Sequence, residues 1–269
     1  MVSPGRVCFT IFGVDIMWYG VLIGFGFVLA ALLSYLRASK FGVNPDHVLD
    51  FIIFLIPASI IGARAYYVLF NLEAYAAGSW FDIFNTRSGG LAIHGGVIAG
   101  VLTAYIVCKI KKEHPLNLMD LAAAHLALAQ SIGRWGNFFN EEAHGTPTDL
   151  PWAQIIDGTG YHPTFLYESV WCFLLFAFLF FMGKRRSFRG QLTCLYFILY
   201  SFERFFVEGL RTDSLMFGPL RQAQLLSLVL FVSGIALYFY FRKRFPISAA
   251  VSEDTDSVLP VDADNNSID

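Results

Sequence analysis

Hydrophobic residues along this chain form seven long runs, separated by short stretches rich in charged residues, proline and glycine. A helix needs about 20 mostly apolar residues to cross the hydrocarbon core of a bilayer, and each run approaches that length. The runs are too long for barrel strands and lack strand alternation, so we expect helices. Pro57 lies inside the second run and should kink that helix. The predicted helices span roughly residues 16–36, 49–70, 91–109, 118–136, 164–183, 190–209 and 222–241.

Composition supports an all-α, polytopic membrane helix bundle. Of the 269 residues, 56% are hydrophobic and only 15% are charged, whereas soluble domains have about 25% charged residues. The mean hydropathy of +0.55 agrees with this class. Arg6 is the only early cation, and no small-residue cleavage site follows the first run. We therefore expect the first helix to remain in the mature protein as a membrane span.

Lysine and arginine residues are distributed unevenly between the two sets of loops. Twelve of the 19 cations lie on one side of the predicted bundle, and four lie on the other side. Because cytoplasmic loops carry the excess of cations, we expect the N-terminus outside the cell and the C-terminus in the cytoplasm. The cation-rich segments are 37–40, 109–112, 184–189 and 242–244, and the opposite group is Arg6, Arg87, Arg211 and Arg221.

The charge pattern also suggests a domain boundary near residue 245. Residues 1–245 contain all seven apolar runs, so we expect one transmembrane catalytic domain there. Residues 246–269 contain six acidic residues and no cation. We expect this segment to be a disordered and dispensable cytoplasmic tail.

The cysteines give no sign of metal or redox chemistry. The four cysteines form no CxxC pair and no metal-ligand spacing, and three of them lie in apolar runs. A buried thiol in such a run behaves as a small hydrophobic group. We therefore expect no metal and no cofactor, and we also expect no nucleic-acid partner.

Several polar residues lie within the apolar runs, and the predicted topology places most of them in the outer halves. Arg134 and Asn137 are three residues apart at the outer end of the fourth helix, so they share one helical face. An arginine at membrane depth costs about 2.5–3.5 kcal/mol on insertion scales and usually marks a functional site. The inner halves have no comparable set. The other outer residues are Tyr19, Arg64, His94, His162, Glu168, Tyr200, Arg204, Glu208 and Arg211.

This polar set has two interpretations. Structural ion pairs are the first, because Arg204 and Glu208 are spaced for a pair four residues apart on a helix. A cationic pocket for the phosphate of an anionic lipid is the second, because arginine donates two parallel hydrogen bonds to phosphate and stays charged when desolvated. Pairing alone gives no reason for cations, a histidine and amides to gather in one leaflet. We therefore favour the pocket, with His94 as a candidate base.

Residues 133–145, which read Gly-Arg-Trp-Gly-Asn-Phe-Phe-Asn-Glu-Glu-Ala-His-Gly, resemble the signature of the bacterial prolipoprotein diacylglyceryl transferases. Four other segments resemble segments of that family in the same order, and the similarity covers most of the chain up to about residue 242. The run at 210–214 is similar to the Gram-positive branch. The four segments are 92–96, 162–168, 204–213 and 224–227.

The resemblance implies an enzyme of the bacterial plasma membrane with its active site toward the outer leaflet. It would move the diacylglyceryl group of phosphatidylglycerol onto the lipobox cysteine thiol of a preprolipoprotein and release glycerol phosphate. The implied partners are phosphatidylglycerol, the signal peptide that carries the lipobox cysteine, and membrane lipid. The predicted topology agrees, because this chemistry follows export.

On this hypothesis Arg134 and Arg204 hold the lipid phosphate, orient the glycerol carbon and stabilise the leaving group. The substrate thiol needs activation, because only a few per cent of a free thiol is ionised at neutral pH. His94 is the candidate for this step, and direct stabilisation of the thiolate by an arginine is the competing interpretation. We expect His94, Arg134 and Arg204 to be catalytic. The expected substrate-binding residues are Arg134, Asn137, Arg204, Tyr19, Tyr200, Glu142, Glu208 and Gly145.

Three other functions are compatible with parts of the sequence. A transporter or channel for an anionic solute would also need buried arginines, but transporters usually bind near the midplane between structural repeats, and no repeat is visible here. A non-catalytic lipid-binding scaffold would bind phosphatidylglycerol without turnover. Intramembrane proteolysis is less well supported, because we identify no Ser–His pair, paired aspartates or HExxH in the spans.

Overall fold

The structure is a computed structural model, and it describes residues 1–76, 80–86, 89–212, 216–218 and 220–247. Within these residues the chain forms seven long helices and one short helix, α3, at Leu72–Ala76. Each long helix coincides with one of the predicted apolar runs. The long helices are α1 (Trp18–Arg37), α2 (Pro45–Leu69), α4 (Ile93–Lys111), α5 (Pro115–Asn140), α6 (Thr164–Met182), α7 (Gln191–Leu210) and α8 (Gln222–Arg244).

Five of the seven long helices are long and apolar enough to cross a membrane, and the exceptions are α5 and α7. These two helices carry Arg134 and Arg204, and they are the most shielded. Thirteen residues of α5 and nine of α7 are buried, among them several polar side chains. Helix α5 packs against α1, α6 and α7, so it lies at the centre of the bundle. The polar helices are therefore covered by the apolar ones.

In the part of the chain that the structure describes, three small antiparallel hairpins connect or precede the helices, and the sequence patterns did not predict them. The segment after α5 is rich in proline, glycine and aspartate, a composition typical of exposed loops, but part of it is buried. Ala153 and Gln154 are buried, and the first residue of the chain pairs with this segment through a hydrogen bond from Ile155 N–H to Met1 O. The hairpins are β1 (Val7–Ile11) with β2 (Val14–Met17), β3 (Gln154–Ile156) with β4 (Thr159–Tyr161), and β5 (Met216–Phe217) with β6 (Leu220–Arg221).

Local chemistry explains where α2 and α5 begin. Asn44 and His114 precede a proline at the first helical position, where proline has no unsatisfied N–H and already has a helical φ. The Asn44 side chain accepts a hydrogen bond from Asp46 N–H at 3.0 Å. His114 Nδ1 accepts one from Leu116 N–H at 3.3 Å. Each side chain caps an end of a helix that would otherwise present free N–H groups.

Helices α2 and α4 approach each other closely through glycines. Gly96 and Gly100, four residues apart on α4, pack on α2 beside Ser59. The tightest point is one residue earlier, because a Cβ atom at Gly95 would collide with the carbonyl oxygen of Gly62. Small residues allow two membrane helices to bring their backbones into contact. The pair α2–α4 is thereby fixed as one unit.

A second polar cluster lies at the opposite end of α5 from Arg134, so the expectation of no comparable set there is wrong. Asp120 is fully buried and accepts hydrogen bonds from Gly190 N–H at 2.8 Å, Thr193 N–H at 3.0 Å and Thr193 Oγ1 at 3.0 Å. Arg186 Nη1 lies 3.2 Å from the same carboxylate. This cluster fixes the start of α7 against α5 and so sets the height of α7 relative to its neighbour.

A buried Ser–His pair also exists, which corrects the expectation that the spans contain none. Ser34 Oγ and His125 Nδ1 are 2.9 Å apart, although 91 residues separate them in the chain. The ring of His125 packs near Phe176 and Phe180. Only the packing of α1 on α5 brings the two residues together, so no local sequence motif could reveal the pair.

The first two residues of the predicted tail are hydrogen-bonded to the segment before α7 or lie beside residues that are. Phe245 O accepts a hydrogen bond from Arg189 N–H at 3.0 Å, and Ile247 N–H donates to Ser187 O at 2.9 Å. Residues 246 and 247 therefore belong to the folded part. The rest of the expected tail, residues 248–269, lies outside the described residues, as do Arg87 and Asp213.

Candidate active site

A single carboxylate joins the two arginines that the sequence singled out. Glu168 on α6 is only 2% exposed. Its Oε2 lies 2.8 Å from Nε of Arg134 on α5, and its Oε1 accepts a hydrogen bond from Nη1 of Arg204 on α7. Three helices therefore meet at one carboxyl group, and the two guanidinium groups are held side by side.

Both arginines make a second polar contact. Arg134 Nη2 donates to the hydroxyl of Tyr200 at 3.3 Å, and Arg204 Nη2 lies 2.5 Å from Oε2 of Glu208. Arg211 Nε is 4.0 Å from the same oxygen of Glu208. The predicted residues Arg134, Tyr200, Arg204 and Glu208 thus form one connected network. Carboxylates therefore pair with both arginines, and the pair of Arg204 and Glu208 has the spacing of four residues noted in the sequence.

The layer next to this network keeps the three helices in register. Ser131 and Ser169 exchange hydrogen bonds between α5 and α6, with each hydroxyl donating to the carbonyl of the other at 2.8 and 2.9 Å. Tyr196 donates to Gln130 Oε1 at 2.8 Å, which joins α7 to α5. The rings of Tyr196 and Tyr200 are stacked, with centroids 5.4 Å apart. Arg134, Glu168 and Arg204 therefore stand on a polar layer that limits their movement.

The end of the signature forms a turn that holds Asn137. The side-chain amides of Asn137 and Asn140 donate to Oε1 of Glu142 at 2.9 and 3.3 Å. Glu141 ends α5 with a φ of +55°, a left-handed conformation that reverses the chain. Asn137 and Glu142, both predicted to bind substrate, are therefore neighbours, about one helical turn beyond Arg134.

Gly145 is required by packing. Its N–H donates to His162 O at 2.9 Å, and its backbone pairs with that of Arg211. A Cβ atom at this position would lie 2.7 Å from Cβ of His162 and 3.2 Å from Leu210 O. Glycine thus lets the signature turn lie between the segment before α6 and the end of α7, directly beside the arginine network.

Comparison with known proteins agrees with this arrangement. The family described as prolipoprotein diacylglyceryl transferase matches residues 6–240, a range that contains every residue of the network. The chain belongs to this family.

Individual members of the family align with almost the whole chain. A phosphatidylglycerol–prolipoprotein diacylglyceryl transferase of Clostridioides difficile strain 630 is 50% identical over 239 residues, which cover 89% of this chain and 96% of the relative. The protein of the same name from Finegoldia magna is 48% identical over 240 residues, with the same two coverages. That of Oceanobacillus iheyensis is 44% identical over 253 residues and 88% of each chain.

Two further residues predicted for the site, Tyr19 and His94, lie outside α5, α6 and α7. Tyr19 at the start of α1 rests against α5, where a Cβ atom on Gly136 would lie 2.5 Å from its ring. Gly136 stands between Arg134 and Asn137, so Tyr19 is at the height of the signature. His94 is exposed in the first turn of α4, with its ring centroid 6.0 Å from that of Tyr66 on α2. The structure brings Tyr19 to the signature and leaves His94 on the neighbouring α2–α4 pair.

Arg64 belongs to a different part of the outer polar set. Its guanidinium donates to four backbone carbonyl oxygens, at distances of 2.6–3.0 Å, in the segment between α3 and α4. The positive charge of Arg64 is therefore stabilised by the dipoles of these nearby carbonyl groups. Arg64 stabilises this connecting segment, and the segment carries the chain to His94. The acceptors are Asp82, Ile83, Gly89 and Gly90.

The sequence arguments missed the central role of Glu168 and did not place Glu203. Glu168 was recognised only as a polar residue at the outer start of its helix, within the family-like segment 162–168. Glu203 precedes Arg204 on α7 and is 6% exposed. A signal was present for both, since a glutamate inside an apolar run is costly, but the sequence alone could not show what surrounds each carboxyl group.

Proposed function

We propose that the chain catalyses transfer of the diacylglyceryl group of phosphatidylglycerol to the lipobox cysteine of a preprolipoprotein. The observation that carries this proposal is the pair of arginines from α5 and α7 held on Glu168. Family membership supports it, as do relatives that are 44–50% identical and carry the name of this activity. The products would be a thioether-linked lipoprotein precursor and glycerol phosphate.

The proposal includes a topology. All seven long helices would cross the plasma membrane, with the N-terminus outside and the C-terminus in the cytoplasm. Two features support this: the cation-rich loops all follow or precede the same ends of the helices, and the arginine network lies toward the other ends of α5 and α7. Cytoplasmic loops carry the cation excess. The network would therefore face the outer leaflet, where exported preprolipoproteins arrive.

In the proposed mechanism Arg134 and Arg204 bind the phosphate of phosphatidylglycerol. Each guanidinium has five N–H donors, and the contacts described above use only part of them. The two groups would orient the glycerol carbon and stabilise negative charge on the departing phosphate oxygen. Asn137 would add a hydrogen bond from the signature turn, and Tyr200 would hold Arg134 in place. Glu142, Glu208, Gly145 and Tyr19 would shape the same site.

The nucleophile is the thiol of the peptide substrate. A sulfur–carbon bond forms, the carbon–oxygen bond to the phosphate breaks, and the thiol proton is taken up by a base or by the leaving phosphate. His94 remains one candidate base, and its exposed position at the start of α4 supports access from the membrane exterior. Stabilisation of the thiolate by Arg134 or Arg204 is the other, supported by their central position.

The proposal is tested by incubating a lipobox peptide with the purified protein in vesicles of phosphatidylglycerol and phosphatidylcholine. Mass spectrometry should detect the peptide with one added diacylglyceryl group, together with free glycerol phosphate. A matched peptide with serine in place of the cysteine should stay unmodified. Flux of an anionic solute without release of glycerol phosphate would contradict the proposal and favour a transporter.

A further inference from the structure

From here on the arginine network includes Arg211 and the neighbouring Glu203. If every group of this network is ionised, its net charge is zero and it does not attract an anion. Arg134, Arg204 and Arg211 carry three positive charges. Glu168, Glu203 and Glu208 carry three negative charges, and all three are nearly fully buried. A phosphodiester brings one more negative charge into this low-dielectric region. Binding it would leave the site with an uncompensated charge, which is costly away from water.

Glu203 differs from the other two glutamates in its contacts. Glu168 and Glu208 are paired with arginines. Both carboxyl oxygens of Glu203 are buried, and neither has a hydrogen-bond partner among the described residues. A buried carboxylate without a partner is unfavourable, and such a group takes up a proton instead. Glu203 is therefore the member of the network that can give up its charge at least cost.

The groups that act on Glu203 come from the helices packed around it. The ionisable groups close enough to influence Glu203 are Arg134 on α5, Glu168 and the Cys172 thiol on α6, and Arg204 on its own helix. Tyr196 and Tyr200, about two turns and one turn before Glu203 on α7, are stacked on each other. Helix α8 packs on α7, and its ionisable residues are all at its far end. They are Tyr238, Tyr240, Arg242, Lys243 and Arg244.

We propose that Glu203 is a positioning residue that works as an uncharged carboxylic acid, so that the arginine network carries one net positive charge for the phosphodiester of the lipid. This inference rests on the proposed function and adds the charge state of its binding site. With Glu203 neutral, the six groups sum to +1, which one phosphodiester balances. With Glu203 ionised, the bound lipid would face a neutral site and a nearby carboxylate.

The test is the pH dependence of KM for phosphatidylglycerol, because the phosphodiester itself stays singly charged throughout. In the wild-type protein KM should be constant at low pH and rise up to about tenfold per pH unit once Glu203 ionises. Glu203→Gln mimics the neutral acid in shape and charge. Its KM should stay flat, whereas kcat should rise with pH in both proteins as the peptide thiol ionises.

Glu73→Gln is the matched control, because Glu73 is an exposed carboxylate on α3, away from the arginine network. Its KM profile should follow that of the wild type. The same rise of KM in Glu203→Gln as in the wild type would overturn the inference. A wild-type KM that does not change with pH would overturn it without any variant. Absence of lipidated peptide at every pH would instead contradict the proposed function.

Discussion

At the scale of single residues, the sequence singled out Arg134 and Arg204 as candidates but could not predict how they are held. Arg134 and Arg204 are recognisable because charged residues inside apolar helices are rare and costly. Glu168 is 34 and 36 residues away from them in the chain and lies on another helix. Only the packing of α5, α6 and α7 shows that one carboxylate serves both guanidinium groups. Pairing across helices has no local sequence pattern.

Glu168→Gln should destabilise the protein strongly. The substitution removes the negative charge between two buried guanidinium groups and leaves them facing each other. Breaking a buried ion pair by removing one partner typically costs about 3–5 kcal/mol. The free energy of unfolding, measured with denaturant in detergent micelles, should fall by this order.

Asp50→Asn is the control for that measurement. Asp50 pairs with Lys111 at 2.6 Å, but both side chains are about one-third exposed. Surface pairs contribute about 0–1 kcal/mol, so this variant should resemble the wild type. Equal small losses in both variants would mean that Glu168 does not bridge the arginines in the folded protein.

At the scale of helices and strands, long apolar runs predicted the helices, but the hairpins lie in short segments whose pattern did not predict strands. Length and hydrophobicity were sufficient for α1, α2, α4, α6 and α8, which are apolar enough to span a membrane. The strands have only two to five residues, too few for a visible alternation of apolar and polar positions. Contacts with other segments determine such strands, and these contacts lie far apart in the sequence.

Gly95→Ala should separate α2 from α4. The added methyl group collides with the carbonyl of Gly62, and overpacking typically costs about 1–3 kcal/mol. Gly24→Ala on α1 is a matched control, because a Cβ atom there meets no neighbour within 4 Å. Thermal unfolding in micelles should show a lower midpoint for Gly95→Ala only. A midpoint unchanged by Gly95→Ala would contradict the close contact of these helices.

The cap of α5 predicts an acid-sensitive stability. Burial lowers the pKa of the His114 imidazole below its usual value, and Arg189 and Arg186 lower it further. The unfolded chain then binds more protons than the folded one between the two pKa values. Stability should therefore be complete above about pH 6.5 and decline as the pH falls below it. Asparagine can cap a helix without titrating, so His114→Asn should reduce this decline in a pH series of unfolding midpoints.

A pH series that is identical for the wild type and His114→Asn would contradict this origin of the acid sensitivity.

At the scale of the whole molecule, the sequence could predict seven helices but not their neighbours. Helix α5 is central because its small and polar residues are buried against α1, α6 and α7. The helix packing separates the predicted polar residues into groups. Arg134 and Arg204 meet at Glu168, whereas Arg64 stabilises a connecting segment and His94 lies on the α2–α4 pair. Hydropathy along the chain contains no information about which helix lies beside which.

The folded part should end after Ile247. Truncation after Ile247 keeps the hydrogen bonds that join residues 245–247 to 187–189, so activity should stay at the wild-type level. Truncation after Arg244 removes these bonds and should lower the unfolding midpoint. Transfer activity and thermal unfolding of the two truncated proteins check this prediction. A large loss of activity after removal of residues 248–269 would show that this segment has a function.

The most direct test of a shared phosphate site is a double-mutant cycle with Arg134→Lys and Arg204→Lys, measured as kcat/KM for lipidation of the peptide. Lysine keeps the charge but cannot donate from a planar fork, so each single variant should lose about 10²–10³-fold in rate. Glu168 holds both arginines, and both would bind the same phosphate. The double variant should therefore lose far less than the product of the two losses. Losses that multiply fully, or single variants with wild-type rates, would contradict a phosphate held jointly by these two arginines.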